Sequence, residues 1–272
     1  MISDFHVHTR FCDGKSDPEE YIEKARELGL ETIGFSSHAP AAVPSPWRMK
    51  KEEEALYRAR IRALAEKEQG IEILLGTETD PNTTADLGEY DFLIGSLHDL
   101  TFGEEIRSVD ESYEVSRDMV TRHFGGDWYA YTAAYFAQLC KMADSFPFTF
   151  IGHFDLVTKF NERHPHVDPT SQKFLRPATD AMDALIGHCD LLEINTGAIS
   201  RGMRDTPYPA VGLLQYWRSL GGEILFCSDA HQAQYLAAFA DRAEALARKA
   251  GYTRAVTLHK RGGKLVRDFY EF

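Results

Sequence analysis

The chain of 272 residues is 43% hydrophobic and 26% charged, and its 42 acidic against 30 basic side chains leave a formal net charge of −12. This composition suits one large soluble domain and excludes the broad cationic footprint by which proteins grip long nucleic acids through their phosphates. No run approaches the roughly 18 consecutive apolar residues of a membrane span, and the N-terminus lacks the charged-then-apolar layout of a signal peptide, so the expectation is a cytoplasmic protein with no membrane partner. Cys12, Cys140, Cys189 and Cys227 lie far apart without a C-x-x-C pair, which fits neither a zinc ribbon nor a disulfide framework.

In chain order, short apolar runs alternate with amphipathic stretches, the rhythm of successive β-α units. Residues 2–8 open as a strand. Asp17, Pro18, Glu19 and Glu20 mark a helix start, with Ile22, Ala25 and Leu28 on one face and Gly29 as its stop. A strand over 31–37 leads into a proline-rich loop (Pro40, Pro44, Pro46), a charged helix over about 50–69 and a third strand over 71–76. Further strands are expected at 91–97, 148–152, 191–195 and 223–228, with helices near 129–145, 172–188, 209–219 and 232–250. The run 255–259 adds an eighth element or pairs at the barrel's rim. Between His98 and Phe148 lie two helical stretches, 111–124 and 127–145, more than one crossover needs. The whole chain, 1–272, therefore reads as one α/β barrel domain of seven units in which 99–147 is an insertion. Residues 99–128 read either as a cover over the active face or as a plain connection.

The polar residues fall at the carboxyl ends of different strands. His6 and His8 end the first, His38 follows the second, Glu78 the third, His98 the fourth, His153 the fifth, and Asp229 and His231 the seventh. In a parallel barrel those ends converge on one face. His6 and His8 are two apart and project to the same side of a strand, which is the spacing of a chelating pair. Taken singly each histidine is explained by ordinary packing or exposure, which is the reading kept for His123, His164, His166, His188 and His259. Six of the eleven histidines gathered with Asp13, Glu78 and Asp229 on one face instead point to metal.

Imidazole and carboxylate donors suit zinc, manganese or iron, and Cys12 is not needed among them. Nine donors exceed what one catalytic ion with an open position takes, so two or three divalent ions are expected. Such a cluster carries about +3 and draws an anion into a partly desolvated cleft.

The motifs D-F-H-V-H-T-R-F-C-D-G (4–14), S-S-H-A-P (36–40), G-T-E-T-D (76–80), G-S-L-H (95–98), I-G-H-F-D (151–155), N-T-G (195–197) and S-D-A-H (228–231) occur in that order across nearly the whole chain. In these the chain resembles the polymerase and histidinol phosphatase (PHP) family, and I-G-H-F-D-L-V-T-K-F-N and the closing region resemble its histidinol-phosphatase members. The resemblance implies a distorted (β/α)7 TIM-like barrel. It implies His6, His8, Glu78 and Asp229 on one ion, Glu78 bridging to a second held by His98 and His153, and Asp13, His38 and His231 on a third. Two positions depart from the family pattern: Asp99 follows G-S-L-H, and Asp13 stands where many members have histidine.

A divalent cluster beside an anion pocket suits phosphate monoester hydrolysis, with a water shared by the Glu78-bridged pair as the nucleophile. Arg201 and Lys159 each follow a strand end and are the expected phosphate clamps, with Arg10 a third candidate. Asp229 or a metal-bound water is the candidate proton donor to the leaving group. A substrate with an ammonium and an imidazole, as histidinol phosphate has, calls for an acidic rim, for which Asp99, Glu104, Glu105, Asp110 and Glu111 are candidates. Rival readings are a phosphoesterase for nucleotides or other small phosphate esters, a metal-dependent amidohydrolase, and a non-catalytic metal-binding module.

Overall fold

A computed structural model describes residues 1–43 and 45–272; Pro44 of the proline-rich loop lies outside the described residues. Its elements in chain order are β1 (Ser3–Asp4), α1 (Pro18–Leu28), β2 (Thr32–Phe35), α2 (Glu54–Lys67), β3 (Glu72–Thr79), β4 (Phe92–Gly95), β5 (Asp99–Phe102), β6 (Glu105–Ser108), α3 (Tyr113–Phe124), α4 (Trp128–Met142), β7 (Phe150–Ile151), α5 (Gln172–Leu185), β8 (Leu191–Asn195), the single-turn α6 (Gly197–Ser200), α7 (Val211–Ser219), β9 (Glu223–Cys227), α8 (Ala240–Ala250), β10 (Arg254–Arg261) and β11 (Lys264–Glu271).

Seven strands form one parallel sheet in the order β1-β2-β3-β4-β7-β8-β9. Its two ends meet: the His8 amide donates to the Ala230 carbonyl at 2.9 Å, and the Ala230 amide to the His6 carbonyl at 3.1 Å. The result is the nearly closed, seven-stranded barrel with outer helices that the sequence predicts. β2, β4 and β8 are buried at every position, as strands must be when helices cover one face and a filled barrel interior the other. The start of α1 follows from its residues: the Glu20 carboxylate accepts from the Asp17 amide at 2.6 Å, and Pro18 occupies the first turn. Gly29 ends the helix in the left-handed conformation, φ 70°.

Three stretches differ from expectation. Residues 99–108, read from the sequence as part of a cover or a plain connection with no strand in it, form the antiparallel hairpin β5–β6. The helix expected over 232–250 begins only at Ala240, because Ala237 and Phe239 adopt φ of 53° and 59° and hold the preceding segment as a loop. The run 255–259 belongs to the longer hairpin β10–β11.

That C-terminal hairpin closes the barrel's floor. Thr257 bonds Ser3 at 2.9 Å, His259 and the Lys260 amide hold Glu72 at 2.8 and 2.6 Å, and Lys260, Arg267 and Arg254 pair with Asp91, Asp190 and Glu223. All five partners on the barrel lie at or just before the amino ends of its strands, while the hairpin's own Ala255, Val256 and Leu258 in β10 are buried. Burial rather than the ion pairs carries this contact, since exposed pairs contribute little. Leu258→Ala is expected to lower unfolding free energy by about 2–5 kcal/mol with an unchanged m-value, whereas Arg267→Ala costs less than about 1 kcal/mol. Equal urea midpoints for the two variants would refute the hairpin's role as a packed floor.

Candidate metal centre

Backbone pairing delivers the polar residues to one place. Glu78 lies near the end of β3, paired with Ile94 of β4, and His38 forms an isolated bridge with Glu78. His98 and His153 follow β4 and β7 within three residues, and Asp229 follows β9 by two. Asp229 has φ 49°, a left-handed turn that lets Ala230 pair with His6 and His8. A Cβ on Gly197 would lie 2.6 Å from the Asp229 carboxylate, so the N-T-G motif supplies the one residue type that leaves this carboxylate its space.

The Glu78 side chain is fully buried and five imidazoles reach it. Its Oε1 lies 2.9 Å from His153 Nε2 and 3.2 Å from His98 Nε2. Its Oε2 lies 2.8 Å from His38 Nδ1, 3.2 Å from His6 Nε2 and 3.5 Å from His8 Nε2. Asp229 Oδ1 stands 3.3 Å from His8 and 3.4 Å from His231, and Asp13 Oδ1 is 3.3 Å from His231 and 3.8 Å from His38. All nine expected donors thus fall into four overlapping groups: His6, Glu78 and His153; His6, His8 and Asp229; His38, Glu78 and His98; His8, Asp13, His38 and His231. Glu78 is shared between groups, as the expected bridge requires, and His6, His8 and His38 are each shared as well.

These side chains fit divalent cations. His6 Nε2, His8 Nε2, Glu78 Oε2 and Asp13 Oδ1 are buried without a hydrogen-bond partner, although buried polar atoms are nearly always satisfied. Burial opposes charge on His6, but Glu193, Glu78 and Asp229 outweigh it and hold the imidazole's pKa well above the ordinary range. Burial likewise opposes charge on His98, yet Glu78 raises its pKa to about 9. Glu78 and Asp229 remain carboxylates against the cost of burial, Glu78 through His6, His98 and His38, and Asp229 chiefly through Arg201. The site is therefore organised to bind positive charge. Asp229, ionised and paired, is poorly suited to the role of proton donor.

Residues behind this layer were not anticipated. Glu193, fully buried in β8, accepts from His6 Nδ1 at 2.9 Å, from the His153 amide at 2.6 Å and from Asn195 at 2.7 Å. This fixes the His6 ring with Nε2 toward the cluster, the support that ligating imidazoles commonly receive. An acid inside the apolar run L-L-E-I-N was its signal in the sequence. Asp4 binds the Ser228 amide and hydroxyl and the Ala237 and His6 amides, tying β1 to the end of β9.

The cluster opens into a cavity of about 280 Å³ lined by Asp13, His38, Trp47, Glu78, His98, Ser108, Asp110, Glu111, His153, Leu156, Lys159, Arg201, Asp229 and His231. Arg201 donates to Asp229 Oδ2 at 2.9 Å, to the Asp229 carbonyl at 3.2 Å and approaches His231 Nδ1 at 3.0 Å. Lys159 donates to the Asp110 carbonyl and carboxylate at 2.8 and 3.1 Å. Arg10 does not reach the cavity: its side chain is exposed and lies 3.4 Å from Asp17, because the chain turns outward after His8. Of the acidic rim candidates Asp110 and Glu111 line the cavity. Asp99 instead pairs with Arg48, and Glu104 and Glu105 sit at the β5–β6 turn. Cys12 Sγ lies 3.5 Å from His8 Nδ1, behind the ring, and burial first and Asp13 next push its thiol pKa up to about 12, which disfavours the thiolate a metal needs.

Residues 4–197 match the model of the PHP domain. A Deinococcus radiodurans protein named "Probable histidinol-phosphatase" is 31% identical over 244 residues, covering 85% of this chain and 86% of the relative. A Listeria monocytogenes crystal structure shares the fold with a TM-score of 0.76 at 22% identity, over 86% of this chain and 96% of that one. Histidinol phosphate phosphatase from Lactococcus lactis, solved with zinc, L-histidinol and phosphate, has a TM-score of 0.69 at 21% identity, over 97% and 98% of the two chains. By barrel, motif order and family match, this chain belongs to the PHP family.

Proposed function

We propose that this protein is a metal-dependent phosphomonoesterase of the histidinol-phosphatase type, converting L-histidinol phosphate and water to L-histidinol and phosphate in histidine biosynthesis. The observation that carries the reading is the convergence of nine candidate metal donors, seven of which line one cavity of small-molecule size together with Arg201 and Lys159 while His6 and His8 lie behind them. The relative named for this activity and the zinc, histidinol and phosphate of the Lactococcus structure support it.

In this reading His6, His8, Asp13, His38, Glu78, His98, His153, Asp229 and His231 hold two or three divalent ions, zinc, manganese or iron, with Glu78 contributing to both sides of the cluster. Such ions supply positive charge for the phosphate oxygens and make water acidic enough to attack at neutral pH. The chain's own residues orient and select. Arg201, locked by Asp229 and approaching His231, offers its planar donors at the phosphate end. Lys159, ion-paired with Asp110, is the second candidate cation for the phosphate, and Glu111 next to that pair is the acidic group a substrate ammonium would meet. The whole chain is one barrel unit, and the insertion 99–147 supplies both of these acids.

The panel that tests the substrate compares phosphate release from histidinol phosphate, nucleoside monophosphates and other small phosphate esters. kcat/KM for histidinol phosphate is expected to exceed the rest by about a hundredfold or more, the scale reached when polar groups are matched; a higher value for nucleotides would move the assignment to a nucleotide phosphatase. Glu78→Ala is expected to lose bound metal, measured by elemental analysis, together with turnover, and chelation of the native protein should abolish activity until an ion is restored. Full activity in a metal-depleted Glu78 variant would overturn the central role of this carboxylate. Glu193→Gln keeps the shape but weakens the hold on His6, and should reduce metal affinity or kcat by about 10- to 100-fold; unchanged metal affinity and kcat would make Glu193 a packing residue only.

A further inference from the structure

Twelve of the fourteen residues lining the cavity are polar or charged. Among the described residues lining it, the apolar side chains are Trp47 and Leu156, and Leu156 is nearly buried at 2% exposure. Trp47 comes from the loop after β2, is partly exposed, and packs at 4.7 Å and 74° against His38 and at 5.2 Å and 52° against His98. Its ring carries the Arg48 guanidinium 4.0 Å from the centroid. Arg48 is itself buried and pairs with Asp80 and Asp99, the residues just after Glu78 and His98, so the loop is pinned to two strand ends beside the cluster. A tryptophan held in this way loses little freedom on ligand binding.

We propose that Trp47, fixed by the Arg48–Asp80–Asp99 clamp, is the specificity-determining wall against which the organic part of the phosphate ester lies, so that the site favours esters whose leaving group presents a flat or apolar surface. The inference rests on the phosphomonoesterase reading and names the substrate class more narrowly. The phosphate is drawn to the end held by Arg201 and the ligand cluster, which leaves the rest of the molecule between the Ser108–Glu111 segment and Trp47. Trp47 is the largest apolar side chain there against which such a molecule can remove apolar surface from water. The departure at Asp99 gains a purpose: its carboxylate lies on Arg48 rather than on substrate.

The test compares phenyl phosphate with ethanolamine phosphate on the metal-loaded wild type, Trp47→Ala and Trp47→Phe, with bound metal measured in each. The ratio of kcat/KM for the aromatic over the small polar ester should fall about tenfold in Trp47→Ala, mainly through KM, and return to within about twofold in Trp47→Phe. In parallel, benzylphosphonate binding measured by calorimetry should weaken more than binding of inorganic phosphate. If both esters decline together at a constant ratio, Trp47 is only a prop for His38 and His98, and the inference falls. It falls as well if neither ester is affected. Wild-type protein that hydrolyses no phosphate ester would instead sink the phosphomonoesterase reading beneath it.

Discussion

The structure depends on one buried carboxylate. Glu78 lies within 3.5 Å of nitrogens from five histidines, and those histidines arrive from the ends of four other strands. A carboxylate removed from water is costly unless opposite charge or donors replace the solvent. Here that compensation is assembled only when β1, β2, β4 and β7 are all in register with β3. The acid at position 78 therefore links correct folding of half the barrel to the existence of the site, and the same demand for positive charge that lifts His6 and His98 is the one that cations satisfy.

Barrel closure serves the same end from the other side. Asp229 belongs to the strand that closes the sheet on β1, and its left-handed backbone turns Ala230 into the seam with His6 and His8 while its carboxylate faces them. Strain at one residue is tolerated where surrounding contacts over-determine it. Asp4 beneath and Gly197 beside it supply that support, the first by bonding both edges of the seam and the second by giving up a side chain. Below, the β10–β11 hairpin covers the opposite end of the barrel, so the polar face and the stabilising face are kept apart, as is usual for barrels of this type.

Much of this was legible in the sequence because the signals are local or repeated. Apolar runs of four to eight residues mark the barrel strands, Asp17-Pro18 and Gly29 bound the first helix, and a histidine or acid at the ends of six of the seven strands marks the active face. What escaped depends on partners distant in the chain. The segment 264–271 alternates exposed and half-buried residues with none fully buried, so it lacks the apolar signature of a strand until its floor contacts are known. Glu193 is hidden by its apolar neighbours, and Trp47 and Arg48 sit in a loop whose composition gives no periodicity. Arg10 failed for the converse reason: proximity in sequence to His8 says nothing about direction once the chain turns outward after His8 and leaves Arg10 exposed beside Asp17.

The charge distribution bears on an apparent conflict between an acidic protein and the anionic substrate proposed for it. Around the cavity Asp13, Glu78, Asp229, Asp110 and Glu111 outnumber Lys159 and Arg201, so the bare chain offers phosphate little attraction. Selectivity follows from this excess. In the proposed reading bound cations would invert the sign at one end of the cavity, where Arg201 is kept in place by Asp229, while Glu111 adds negative charge beside the Lys159–Asp110 pair. A ligand that is merely anionic meets repulsion over part of the wall, and one that is merely cationic meets it over the rest. On the proposed reading, an ester with phosphate at one end, a cation at the other and a flat surface between would match all three regions at once, so discrimination would rest on requiring the three together rather than on tight contact with any one.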